Sequence, residues 1–314
     1  MIFQKTISKK VSVQGVGLHS GDAVTLSLLP AKPDSGITFV RKDLNSNNNT
    51  IKVDPFLVSD TRLCSTLKKE SAKVMTVEHL MSALYAYSID NIIIEISGIE
   101  VPILDGSSNP FIYLIQSGEP INQEREKKFI KVKKALKYEI DGKFAMLEPY
   151  DGFKIDFSID FPHPVFADRN NSISIDYYKD SYVDEIARAR TFGFMQEVEY
   201  LRSNGLAKGG SLDNAIVMDE YKIINNDRLR YEDEFVRHKV LDAFGDLYLT
   251  GHALIGKFSA FKSGHEINNQ LLRLLMKDQD SYDLVSLVES DSVYQQIINH
   301  NEQLELIQNE AALA

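Results

Sequence analysis

Cysteine is nearly absent. The 314-residue chain holds one, Cys64. A single thiol excludes an intrachain disulfide and any zinc site built from several cysteine thiolates, and it fits a reducing compartment. Long apolar runs are missing as well. None approaches the roughly 20 residues of a membrane span, and residues 1–8 lack the uninterrupted apolar stretch of a signal peptide. Positive charge is in deficit: 35 Lys and Arg stand against 45 Asp and Glu, a net charge of −10. That balance argues against nucleic acid as a partner, and an anionic ligand would need a local cluster of Lys and Arg. Low-complexity tracts are missing too. The expectation is a cytoplasmic enzyme.

What is present is ordinary for a globular protein: 43% hydrophobic and 25% charged residues, enough for a substantial core. At roughly 150 residues per domain the length implies about two. Lys10-Val11-Ser12-Val13-Gln14 alternates with period two, and Val24-Thr25-Leu26-Ser27-Leu28-Leu29-Pro30 reads as a second strand stopped by proline. A helix is expected over 77–86 with Thr76 as its N-cap, then a buried strand over 91–96 and a short helix after Pro110. A charged stretch, 122–134, separates this half from the next. Strands follow at 129–132, 144–149 and 153–159, then a long helix at about 233–249. Strand-rich then helical, twice over, reads as an α+β chain of two similar domains, 1–124 and 125–300, with a polar tail at 301–314. Between the second strands and the long helix, residues 192–219 read as a β-α-β excursion. Met195, Val198 and Leu201 share a helical stripe and Gly205 stops the helix. It is either a subdomain packed on the core or the wall of a channel for a lipid tail.

Three segments carry residues suited to chemistry. On the long helix, His238, Asp242 and Asp246 lie within about 80° of one another, opposite Val236, Val240, Ala243 and Leu247. Such an i,i+4 His/Asp pair can offer nitrogen and oxygen to one metal, though similar pairs also decorate solvated helix faces. Glu78 and His79 open another helix, where the positive end of the dipole disfavours a protonated imidazole; a bland helix start is the alternative. His265 follows a glycine at a strand end, placed for proton transfer or for a capping role. His19 sits in the turn Gly15-Val16-Gly17-Leu18-His19-Ser20-Gly21 and can border a site. That turn is not G-x-G-x-x-G, so it is not a nucleotide loop.

Together the pieces are coherent. Two His and one Asp give Zn²⁺ three protein ligands and leave a position for water, whose pKa falls towards about 7. A Glu can take the water's proton, and a separate His⁺ can protonate a leaving amine. H-E-x-x-H is absent, so this is no zincin protease. The same donors also suit Fe²⁺. The alternative class is a non-catalytic lipid- or nucleotide-binding module whose His and Asp residues are structural.

Thr76-Val77-Glu78-His79-Leu80, Asp105-Gly106-Ser107, Ala189-Arg190-Thr191-Phe192-Gly193-Phe194, Phe235-Val236-Arg237-His238-Lys239-Val240-Leu241-Asp242 and Lys262-Ser263-Gly264-His265 occur in this order. With the opening glycine-rich turn, they resemble the UDP-3-O-acyl-N-acetylglucosamine deacetylases, zinc amidases of bacterial lipid A biosynthesis. The resemblance spans roughly residues 1–270. It implies removal of acetate from the 2-acetamido group of UDP-3-O-(3-hydroxyacyl)-N-acetylglucosamine, in the cytoplasm. By the resemblance, His79, His238 and Asp242 are zinc ligands, Glu78 the general base, and His265 the general acid oriented by Asp246. Thr191 stabilises the oxyanion, Lys239 binds substrate, Phe161 lies near the uracil and Lys262 near the pyrophosphate. The β-α-β insert becomes an acyl passage, with Phe192, Phe194, Val198, Leu201, Ala207 and Ala215 as lining candidates. A monomer is favoured.

Overall fold

Period-two alternation becomes strand wherever the chain carries it. In the computed structural model, which describes residues 1–313, Val11–Val16 pairs antiparallel with Ala23–Pro30, with Val13 opposite Leu26. Ile92–Ile96 joins the other edge of Ala23–Pro30 and runs parallel to Ile37–Arg41, whose far side takes Thr50–Lys52. The inward residues of these strands, Leu26, Leu28, Ile37, Phe39, Ile92, Ile94 and Ile96, are fully buried. A three-stranded sheet (Val58–Asp60, Thr66–Lys69, Ala72–Val74) and the pair Phe3–Ile7 with Pro120–Glu126 complete the first half.

Past Lys127 a seven-stranded sheet centres on Ala253–Phe261. It runs parallel to Phe129–Val132 and Phe153–Ser158 and antiparallel to Lys143–Glu148. Leu136–Ile140, Ser172–Asp176 and Tyr282–Val285 form its margins. Among the described residues no sheet mixes strands from the two sides of Lys127. The architecture is mixed α/β with several sheets. Phe192–Phe194 and Ile216–Met218 form a separate parallel pair, joined through a helix, which is the expected β-α-β excursion.

Seven helices are present among the described residues: α1 (Glu78–Ala86), α2 (Asn109–Ser117), α3 (Tyr182–Glu185), α4 (Met195–Ser203), α5 (Glu234–Leu247), α6 (His265–Lys277) and α7 (Tyr294–Leu313). Residues 301–313 of the segment read as a polar tail continue α7, and residue 314 lies outside the described residues. No helix among the described residues is long and apolar enough to cross a membrane. Every residue of α1 is buried, as expected for a helix surrounded by protein. Tyr85 on α1 meets Phe153, Tyr177, Phe244 and Tyr248 with ring centroids 4.8–5.4 Å apart, so one aromatic cluster ties the two halves together.

One expectation is corrected: Thr76 does not cap α1, since its backbone is left-handed (φ +56°) and its hydroxyl donates to the buried Glu100 carboxylate at 2.8 Å. His265 follows the glycine turn beyond the strand Ala253–Phe261, as expected, and there begins α6. In addition, α5 buries both its faces. Val236, Val240, Ala243 and Leu247 meet the core as expected, and His238, Asp242 and Asp246 are buried too. The polar face was aimed into the protein, not at solvent.

α1 crosses α5 at Gly245. A Cβ there would lie 1.9 Å from the Glu78 carbonyl oxygen, a backbone atom that cannot step aside. Gly245→Ala is expected to cost about 3 kcal/mol or more and to lower the melting temperature by several degrees in calorimetry. Gly98→Ala, whose Cβ would meet only Val24 at an ordinary 3.5 Å, should stay within about 0.5 kcal/mol of the parent. Equal behaviour of the two variants would remove the crossing as a constraint.

Candidate metal centre

The left-handed Thr76 turns the chain sharply into α1. This conformation costs a β-branched residue of the order of 1–3 kcal/mol, and Glu100 holds it in place. Its carboxylate accepts from the Thr76 hydroxyl and from the backbone N–H groups of His19 and Ser20. Glu78 and His79 consequently leave the first turn of α1 towards α5. The start of α5 is anchored by Glu234, whose carboxylate is fully buried. It accepts from the Arg190 backbone and guanidinium and from Arg230 N–H. The same contact fixes the segment that carries Thr191.

His79, His238 and Asp242 converge. Their candidate ligand atoms all lie within 4.8 Å of one another. Asp242 Oδ1 is 3.5 Å from His79 Nε2 and 3.4 Å from His238 Nε2. Two ligands each roughly 2.1 Å from a tetrahedral centre sit about 3.4 Å apart, so the spacing fits a divalent cation. Asp242 Oδ1 is buried without a hydrogen-bond partner, although buried carboxylate oxygens are normally satisfied. His238 Nδ1 lies 3.0 Å from the Ala189 carbonyl. A proton on that nitrogen leaves the lone pair on Nε2, the usual arrangement of a metal-ligating histidine. Burial pushes His238 down to about 3, which keeps it a neutral donor. Burial alone would raise Asp242, but His238 and Lys239 outweigh it and hold its carboxyl well below the ordinary range. Lys239 Nζ donates to Asp242 Oδ2 at 2.6 Å.

Beside the triad stand two further titrating groups, both shifted upward. Burial raises Glu78 to about 7. Burial would lower His265, yet the Asp246 and Glu78 carboxylates outweigh it and raise the imidazole to about 9. His265 Nε2 is 3.7 Å from Glu78 Oε1, and its Nδ1 is 2.9 Å from Asp246 Oδ2. A carboxylate pushed up and an imidazole pushed up, at one cavity, form a base and an acid around neutral pH.

A cavity of about 1030 Å³ opens onto these groups. Of the residues singled out in the sequence, it is lined by Glu78, His79, His238, Lys239, Asp242, His265, Thr191, Phe161, Lys262, Phe192, Phe194 and His19. Asp246 stands behind His265. Val198, Leu201, Ala207 and Ala215 do not line it; Met195, Glu197 and Met218 from the same excursion do. Val198 of the helical stripe lies against the insert's own small sheet, where a Cβ at Gly193 would meet its methyl at 3.6 Å, while Met195 of the same stripe reaches the cavity. Lys262 Nζ pairs with Asp160 at 2.6 Å. Phe161 packs edge-on against Phe192 with centroids 5.6 Å apart. His19 is buried with both ring nitrogens unpartnered, and burial lowers its pKa.

Sequence reasoning missed Glu100, Glu234, Ser65, Asn268 and Gly245. Only the last carried a signal, a glycine inside a helix with no turn to explain it. The others support the site from elements far away in sequence.

The comparisons agree with this geometry. A family model described as UDP-3-O-acyl N-acetylglycosamine deacetylase matches residues 4–277. A UDP-3-O-acyl-N-acetylglucosamine deacetylase of Neisseria meningitidis is 51% identical over 294 residues, 93% of this chain and 96% of the relative. Proteins of the same name from Chromohalobacter salexigens (52% over 286 residues) and Chromobacterium violaceum (51% over 287) each cover 91% of this chain and 94% of themselves.

If the triad holds the cation, purified protein should contain about one equivalent of zinc, read by elemental analysis, and Asp242→Ala should lose it. Zinc at a hundredfold above its Kd should stabilise the chelated parent by roughly 2.7 kcal/mol and leave Asp242→Ala unmoved. Equal zinc content in parent and variant would exclude Asp242 as a ligand.

Proposed function

The chain belongs to the UDP-3-O-acyl-N-acetylglucosamine deacetylase family, and from that premise we propose how its cavity carries out the reaction. The protein is a zinc-dependent amidohydrolase of lipid A biosynthesis that removes the acetyl group of UDP-3-O-acyl-N-acetylglucosamine. One observation carries the assignment to this cavity: the His79–His238–Asp242 triad opens onto the same space as a carboxyl raised to about 7 and an imidazole raised to about 9. His79, His238 and Asp242 would hold Zn²⁺, and the same donors would suit Fe²⁺. The ion would supply Lewis acidity towards the amide oxygen and towards water.

The remaining work falls to side chains. Glu78 takes a proton from the water that attacks the acetyl carbonyl. Thr191 supports the oxygen on which negative charge develops. His265, protonated at Nε2 and held at Nδ1 by Asp246, gives its proton to the sugar nitrogen as the C–N bond breaks. An amine expelled without a proton is a very poor leaving group. The products are acetate and the sugar amine: the proton held by Glu78 returns to His265, and the second proton of the attacking water leaves the acetic acid for the amine or for solvent. Lys239 binds substrate beside Asp242. Phe161 offers a face to the uracil, Lys262 a charge to the pyrophosphate, and His19 borders the sugar.

The acyl chain runs along the wall formed by the β-α-β excursion. Phe192, Phe194, Met195 and Met218 support this reading, since they give the cavity an apolar side. Each buried CH₂ contributes about 0.8 kcal/mol, so a long tail supplies much of the affinity. The two halves are read as domains of 1–124 and 125–300, with residues 301–314 as an appendage. An active monomer completes the reading, and the nucleotide-sugar substrate supports a cytoplasmic location.

Acetate release should follow a bell-shaped pH profile in kcat/KM. Glu78 acts deprotonated, so activity rises as pH climbs through its pKa; His265 acts protonated, so activity falls as pH climbs through its own. The limbs should lie at or below about 7 and about 9, because a nearby dication lowers both. Glu78→Gln should lower kcat by roughly 10²–10⁴ with zinc retained, and His265→Ala should abolish the basic limb. A preserved basic limb in His265→Ala would end its role as the acid.

Turnover of UDP-N-acetylglucosamine without the 3-O-acyl chain tests the passage. The expected loss in kcat/KM is at least about a hundredfold, and Met218→Asp should erase most of the preference for the acylated substrate. Equal rates on the two substrates would remove the apolar wall from the account.

A further inference from the structure

Ser65 lies just before the strand Thr66–Lys69 and is 1% exposed. Its backbone N–H donates to Glu78 Oε2 at 3.0 Å. Its hydroxyl donates to Asp246 Oδ1 at 2.5 Å. Asp246 Oδ2 accepts from His265 Nδ1 and from Asn268 Nδ2, each at 2.9 Å. His265 Nε2 then returns to within 3.7 Å of Glu78 Oε1. Ser65, ahead of its strand, and one residue from each of α1, α5 and α6 thus close a ring, in which Ser65 is the member hydrogen-bonded to both carboxyl groups.

The geometry points to Ser65 as a positioning residue that couples the base Glu78 to the acid His265 through Asp246, a role that rests on the assignment of those two groups above. The chemistry is specific. A carboxylate only accepts, and a serine hydroxyl has one proton to give, so that proton is committed to Asp246 Oδ1. With Oδ1 turned to Ser65, Oδ2 faces His265 Nδ1. The imidazole keeps its Nδ1 proton on Asp246 and presents Nε2 to the cavity. A carboxylate with two other donors also draws less strongly on the His265 proton. The acid remains willing to release that proton to the amine. The peptide N–H of Ser65 meanwhile holds Glu78 at a set distance from the same imidazole.

Ser65→Ala removes the hydroxyl arm and leaves the peptide arm intact. The expected result is a kcat lowered roughly ten- to hundredfold, the loss of one hydrogen bond to a charged group, with KM within about twofold. The basic limb of the pH profile should move upward, because Asp246 then holds the imidazolium more firmly. Ser65→Thr keeps the hydroxyl and should return kcat to within about threefold of the parent; Ser65→Cys, of similar size but a weak donor, should resemble alanine. In a His265→Ala background, Ser65→Ala should cost less than about twofold more, since it acts through that histidine. Parental kcat and an unmoved basic limb in Ser65→Ala would overturn the role. So would a loss in Ser65→Thr equal to that in Ser65→Ala, or costs that simply add in the double variant. If Ser65→Ala does not fold, the Thr and Cys variants decide by the same criteria. Retained activity in His265→Ala alone would instead overturn the acid assignment on which the role rests, so the two failures are told apart.

Discussion

The approach of two helix backbones at Gly245 is the constraint from which the site follows. α1 and α5 touch where the Glu78 carbonyl lies against a residue with no side chain. Any larger residue would push the helices apart, and His79 would leave the reach of His238 and Asp242. The ligand spacing of 3.4–3.5 Å is therefore set by backbone packing and not by the side chains that would coordinate. Each helix is also fixed at the end that carries chemistry. Glu100 holds the turn before α1, and Glu234 holds the first turn of α5. Both are buried carboxylates that accept from several donors, which is the condition under which such groups are tolerated.

That packing gathers Glu78, His79, His238, Lys239, Asp242, Asp246 and His265, and electrostatics then sorts them. Asp242, beside Lys239 and His238, stays ionised; Glu78, with no cation in hydrogen-bond contact, drifts up to about 7. Burial, helped by the neighbouring His79 and Lys239, takes His238 down to about 3 against the single Asp242 carboxylate, while the Asp246 and Glu78 carboxylates together outweigh burial at His265 and raise it to about 9. Two histidines of the same intrinsic basicity thus end up one neutral and one cationic. The difference lies in the partners that the fold supplies, since both are largely shielded from water.

Much of this was legible in the chain. The strands at 11–16, 23–30, 92–96 and 153–158 follow from alternation, and α5 from its apolar stripe. His79, His238 and Asp242 were readable as donors, though only the fold brings the two segments together. The sense of burial was less legible. A helix with an apolar face and a face bearing His238, Asp242 and Asp246 reads as half solvated, and nothing local reveals that a second helix covers the polar side. Thr76 reads as a cap because threonine caps helices; its hydroxyl went to Glu100, 24 residues onward, a partner no local rule identifies. Ser65 and Asn268 were invisible for the same reason. Their importance lies in what they touch.

The excursion at 192–218 shows the limit of helical periodicity. Met195, Val198 and Leu201 do share a stripe, but a stripe only states that one side is apolar, not which apolar surface receives it. In an insert whose helix is flanked by its own pair of strands, Val198 in the middle of the stripe turns to that pair. The surface left for the cavity is then the strand ends and the first turn of the helix: Phe192, Phe194, Met195 and Met218. Two phenylalanines and two methionines make a wall that is apolar yet adaptable, since methionine side chains repack at little cost. A rigid triad at one end of the cavity and a deformable wall at the other suit a substrate whose amide must be held to fractions of an ångström while its tail needs only to be kept from water.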